Sequence, residues 1–176
     1  MKKIYVLLAF ATCLLISFQV NAQKKVDKSK RPSPPALVTQ TIKSGATISI
    51  DYSQPSVKGR TIGKDLEPME GKVWRTGANE ATVFSTNKDV TIDGQKLPAG
   101  KYGFFTLFEG NDVYLIFNKT WNQWGAFKYD AKEDMLRVKT SKKMESNASE
   151  KMTFTISKNG EVNLRWGKIK VAFKVK

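Results

Sequence analysis

The chain reads as an all-β domain, an antiparallel β-sandwich or barrel-like fold with one long irregular loop segment. Three observations predict it. Apolar and polar residues alternate over many short runs, as in Ile48, Ile50 and Tyr52. Turn dipeptides such as Asp93-Gly94 and Asn159-Gly160 separate those runs. No segment carries a sustained apolar stripe at the 3.6-residue spacing of a helix.

In chain order, residues 1–22 have the form of a secretory signal peptide. Lys2 and Lys3 precede an apolar run from Tyr5 to Val20, and Val20-Asn21-Ala22 offers a cleavage site after Ala22. The run is short for a membrane span, and Gln19 interrupts its end. Cys13 lies mid-run with apolar residues after it, which does not suit a lipid anchor. Residues 23–35 are basic and Pro-rich and read as a flexible linker, leaving 36–176 as a single β domain.

Within the domain, Leu37–Ile42 and Ala46–Tyr52 flank Lys43-Ser44-Gly45 and predict a hairpin. Val90–Ile92 and Gln95–Leu97 flank Asp93-Gly94, a second hairpin. Lys101–Phe108 and Val113–Asn118 follow as strands. Ala131–Arg137 fits one helical turn or a strand edge. The end of the chain reads as three meandering strands: Met152–Ile156, Val162–Trp166 and, after a turn at Gly167, Ile169–Val175. The total is about nine or ten short strands. Ile48, Ile50, Phe154, Ile156, Leu164, Trp166, Val171 and Phe173 are expected in the core.

Composition narrows the chemistry. The chain has no histidine, and its one cysteine lies in the expected leader. The mature protein would lack imidazole and thiol, which removes Ser-His-Asp and Cys-His catalysis and the usual soft metal sites. No metal or cofactor is expected. The formal charge is +14, and loss of Lys2 and Lys3 with the leader lowers it by only two. Such a charge suits contact with an anionic envelope surface, or simply a solvated lysine surface. The lysine groups interleave no aromatics, so nucleic acid is not an expected partner.

Two stretches depart from alternation. The first, Asp51–Thr82, carries Pro55, Gly59, Gly63, Pro68, Gly71 and Gly77, and an irregular segment of that length in a compact domain is a functional loop or a disordered one. Its string from Lys72 to Ala81 groups Trp74, Arg75, Asn79 and Glu80. A tryptophan stacks on rings, a guanidinium grips carboxylate or phosphate, and a carboxylate accepts hydrogen bonds or moves protons. The same residues serve equally as scaffold, with Trp74 in the core and Arg75 paired to an internal carboxylate, Glu80 or Asp51. The second stretch, Asn118–Phe127, sets Trp121, Trp124 and Phe127 among amides, which suits a sugar or a plug for one end of the fold. The candidate ligand-binding residues are Asp51, Tyr52, Arg60, Trp74, Arg75, Asn79, Glu80 and Trp124.

Arg31–Pro35, Ile50–Ser53, Pro55–Arg60, Lys72–Ala81, Leu97–Tyr102 and Trp124–Phe127 together resemble a bacterial family, domain of unknown function 2911. The resemblance runs from about Arg31 to Phe173. It implies an exported protein of Bacteroidetes-type bacteria and brings no established activity. It singles out Asp51, Tyr52, Arg60 and the Trp74–Glu80 string.

The leading expectation is an exported, periplasmic or secreted, non-catalytic binding or structural module. Its ligand would be a glycan or a small anion. A glycan hydrolase or lyase using Asp51 and Glu80 with Tyr52 is the second reading, since paired carboxylates suffice for that chemistry. A cationic structural protein of the cell envelope is the third.

Overall fold

A computed structural model describes residues 27–176, so the expected leader and the start of the expected linker lie outside the described residues. Ten strands account for the fold: β1 (Pro35–Thr41), β2 (Thr47–Ser53), β3 (Val73–Trp74), β4 (Thr82–Thr86), β5 (Val90–Ile92), β6 (Gln95–Leu97), β7 (Gly100–Glu109), β8 (Asp112–Asn118), β9 (Asp134–Ile156) and β10 (Glu161–Lys174). Eight form one curled antiparallel sheet, a half-barrel, in the order β1-β2-β4-β7-β8-β9-β10 with β3 added on β7. The β5–β6 hairpin stands apart, and its Thr91 and Asp93 amides donate to the carbonyls of Lys176 and Lys174.

Period-two patterning builds the inner face. Ile48, Ile50 and Tyr52 of β2 point inward, while Thr47, Ser49 and Asp51 point out. The eight expected core residues are all buried. Phe104 packs tilted on Phe117 at 5.2 Å and on Phe173 at 5.8 Å, and edge-on to Phe154 at 6.1 Å. Each such pair adds about 0.5–1.5 kcal/mol beyond its buried area.

The middle of the sheet is buried on both faces. Phe105, Leu107 and Ile116 turn outward and form a second, smaller core with Ala81. The segment between β8 and β9 covers it, with Tyr129 on Phe105 at 5.2 Å. That covered outer face explains why β7 and β8 read as nearly continuous apolar runs.

Three expectations change. Gly167 is not a turn: it takes φ +56° inside the continuous β10, where the register against β9 shifts. It is a bulge, and the last three strands become two. No strand was expected over residues 138–151, and Ala131–Arg137 fitted either a helical turn or a strand edge, yet β9 runs unbroken from Asp134. It pairs with β8 over Asp134–Ser141 and with β10 from Lys142 onward. Only Val138 is buried before Met152, so no apolar alternation marks that part of the strand. Finally, residues 27–34, expected within a flexible linker, pack on the domain. Lys28–Lys30 form a 3₁₀ turn, the Gln54 amide donates to Pro34 O at 2.8 Å, and the Asn79 side chain donates to Ser33 O at 2.9 Å.

Candidate functional site

The Trp74–Glu80 string is a loop ejected from a strand. Trp74 pairs with Thr106 of β7, and Thr82 pairs with Phe104, so residues 75–81 leave the sheet and return almost where they left. The Thr82 amide donates to Arg75 O at 3.2 Å and closes the excursion. Inside it, Thr76 has φ +52° and Asn79 has φ +56°. A β-branched residue in that region is strained by about 1–3 kcal/mol. Buried polar contacts hold it there. The Thr76 and Thr106 hydroxyls meet at 3.0 Å, Thr82 Oγ1 donates to Thr76 O at 2.8 Å, and Trp74 Nε1 donates to Gly77 O at 3.0 Å. Trp74 is therefore core, and its indole fixes the loop.

The excursion delivers Glu80 to an outer-face cleft of about 320 Å³. Lys28 and Pro35 form one wall, Asp51 and Val83 the floor, and Trp121, Asn122 and Gln123 the other wall. Asp51 and Val83 are direct cross-strand partners, which is why both lie on the floor. Glu80 accepts from Arg31 Nη1 at 2.8 Å and 3.0 Å and is bridged by Lys28 Nζ at 2.9 Å. Desolvation acts to raise its carboxyl, but hydrogen bonds from Lys28 and Arg31 prevail and hold it at about 2. Asp51 moves the other way: desolvation and the negative Glu80 raise it while Lys28 opposes. Asp51 stays open to solvent.

The far wall is held from beneath. Asn118 is fully buried; its Nδ2 donates to Asp130 O at 2.9 Å and Asp134 Oδ1 at 2.8 Å, and its Oδ1 accepts from the Thr120 amide at 2.9 Å. Buried Gln123 donates to Thr120 O and accepts from the Lys128 amide. Tyr129 donates to Asp134 Oδ2 at 2.8 Å; desolvation, then Asp134, push its phenol up to about 12. On this frame the rings face outward: Trp121 is 37% exposed, Trp124 53% and Phe127 86%. They do not plug the fold. Lys101 lies over Trp121 at 5.4 Å, and Arg31 over Trp124 at 5.7 Å.

The expected site residues thus divide. Asp51 and Glu80 share the cleft, and Trp124 stands beside it through its bridge to Glu80. Tyr52 also lines the cleft, although its ring turns inward from the strand, edge-on to Phe154 at 5.0 Å. Asn79 ties down the N-terminal segment. Arg60 is exposed and donates to its own loop, at Val57 O and Ser56 O. The expected Arg75 ion pair with Glu80 or Asp51 is not formed, because Lys28 and Arg31 occupy Glu80. Among the described residues Arg75 has no hydrogen-bond or ion-pair partner, and its buried Nε is unsatisfied. An unmade donor of this kind costs about 1–3 kcal/mol. Burial lowers the guanidinium, and Glu67 opposes that shift.

Lys28 and Arg31 were passed over as site residues, and Trp121, weighed for a sugar within Asn118–Phe127, was not among the candidate ligand-binding residues. Arg31 stood at the head of one of the family-like strings, which was the available signal.

The fold and the cleft define a class: a histidine-free, antiparallel β module with a carboxylate-floored, tryptophan-walled groove on its outer face. The chain belongs to the family described as Protein of unknown function (DUF2911), whose model matches residues 33–175. No curated protein matches the chain, and neither does any solved structure.

Proposed function

We propose that this is an exported, non-catalytic binding module whose cleft takes a polyhydroxylated ligand, a glycan segment. The observation that carries the reading is the joint exposure of Trp121 and Trp124 beside a groove lined by Asp51, Glu80 and Asn122. A sugar offers C–H faces to indoles and hydroxyl donors to carboxylates. Two carboxylates against one lysine on the walls disfavour a small anion in this cleft. Glu80 argues against catalysis, since both its oxygens are engaged by cations and it stays ionised at neutral pH. Export rests on the Lys2–Ala22 leader; a mature N-terminus at Gln23 in the intact mass of secreted protein tests it.

The test of binding is calorimetric titration with a panel of neutral hexose and N-acetylhexosamine oligosaccharides. The expected affinity for a small open groove is of the order of 0.1–1 mM. Trp121→Ala should weaken it about tenfold, equivalent to about 1.4 kcal/mol. Heats no larger than buffer dilution across the panel would dismiss the reading.

One observation favours a second reading. The cleft pushes Asp51 up and Glu80 down, the arrangement of an acid and an ionised partner in glycoside hydrolysis. A reducing-end assay on the same panel tests it. Activity lost in Asp51→Asn with binding retained would make the protein a hydrolase.

A further inference from the structure

A second cavity, of about 210 Å³, lies on the other side of the excursion loop. It shares no lining residue with the cleft. Arg60 and Arg75 both line it, with Ser33, Glu67, Trp74 and Trp166 among its walls. It is smaller than the cleft and ample for a compact ion.

We propose that this cavity is a binding site for a compact oxyanion, a carboxylate, sulfate or phosphate group, gripped by Arg75 with Arg60 beside it. Arg75 is the decisive residue. Its side chain is half-buried and has no protein acceptor among the described residues; Nε is sealed from solvent, so the terminal nitrogens are the ones that meet an ion. A guanidinium presents parallel N–H donors that match an oxyanion, and a partly dry wall strengthens the contact. The indoles nearby are committed elsewhere: Trp74 Nε1 donates to Gly77 O and Trp166 Nε1 to Glu67 O. They form rigid sides rather than competing donors. Arg60 spends Nε and Nη2 on Val57 O and Ser56 O, which holds its plane in place.

Glu67 is the opposing group. Glu67 also lines the cavity, its charge acts on Arg75, and its Oε2 accepts from the Met69 amide at 2.7 Å. The wall therefore carries two positive charges against one negative. The excursion loop has two outputs: Glu80 into the outer cleft and Arg75 into this cavity. The strain at Thr76, between them, fixes both directions.

The test is a titration of the purified protein with phosphate, sulfate and acetate at constant ionic strength. The indole N–H signals of Trp74, Trp166, Trp121 and Trp124 are followed by NMR. The expected result is saturable shifts of Trp74 and Trp166, with Trp121 and Trp124 unmoved. The order of affinity among the three ions assigns the group. Arg75→Gln should weaken binding at least tenfold, Glu67→Gln should tighten it severalfold, and Asp51→Asn should leave it unchanged. If Arg75→Gln does not fold, Arg75→Lys and Glu67→Gln carry the test. No saturable shift with any of the three ions, or equal response of all four indoles, would overturn the proposal. So would Glu67→Gln binding no more tightly than the parent. None of these outcomes bears on glycan binding in the outer cleft.

Discussion

Replacing Glu80 by Gln removes the acceptor charge that holds residues 28–31 against the domain. In a fully shielded site, a fall of the carboxyl from 4.5 to about 2 would be worth about 3 kcal/mol. The Glu80 side chain is 37% exposed and Lys28 more so, although Arg31 is only 21% exposed. Solvent screening reduces the contribution to about 1 kcal/mol. Because the folded carboxyl lies below its unfolded value, this stability is complete above about pH 5 and is lost as pH falls from there towards about 2. Part of the loss is local, since freeing Arg31 releases the segment before the domain unfolds. Tryptic cleavage after Lys28 and Lys30 reports that release, and about 1 kcal/mol corresponds to roughly fivefold faster cleavage in Glu80→Gln at pH 8. Urea midpoints should differ by roughly 0.5 M at pH 7 and converge near pH 2.5. Equal cleavage rates, or a midpoint difference that persists unchanged at pH 2.5, would refute the ion-pair account of this contact.

Three further outcomes follow from neighbouring residues. Asp51→Asn should match or exceed the parent in urea stability at pH 7, because the folded state disfavours the ionised Asp51 above its unfolded pKa, while the same change weakens glycan binding in calorimetry. Thr76→Gly should be less destabilising than Thr76→Ala in thermal melts, the reverse of the usual order, because both lose the hydroxyl contact to Thr106 but only Gly relieves the positive φ. Asn118→Ala should cost about 3 kcal/mol in urea unfolding and increase amide exchange across residues 119–133, since three buried hydrogen bonds depend on that one side chain.

The inner face was legible because it obeys one rule. Ile48, Ile50 and Tyr52 in β2, and Leu164 and Trp166 in β10, alternate strictly, and half-buried strands require that. The hairpin at Asp93-Gly94 was equally plain, and both residues take positive φ there. The first part of β9 was not legible, since a strand with only Val138 buried before Met152 leaves no apolar mark. Gly167 misled because a bulge and a turn use the same glycine. In the site, the Trp74–Glu80 string was recognised as special, but its wiring was not. Local sequence suggested an Arg75–Glu80 pair; the tertiary fold gives Glu80 to Lys28 and Arg31 and aims Arg75 into another cavity. Partners 49 residues apart leave no periodic signal in a single chain.

The measurement that tests glycan binding most directly is an NMR titration of the parent with the neutral oligosaccharide panel, following the four tryptophan indoles. Binding in the outer cleft should shift Trp121 and Trp124 saturably and leave buried Trp74 and Trp166 in place. Shifts confined to Trp74 and Trp166, or none at all across the panel, would contradict the assignment of that cleft as the ligand site.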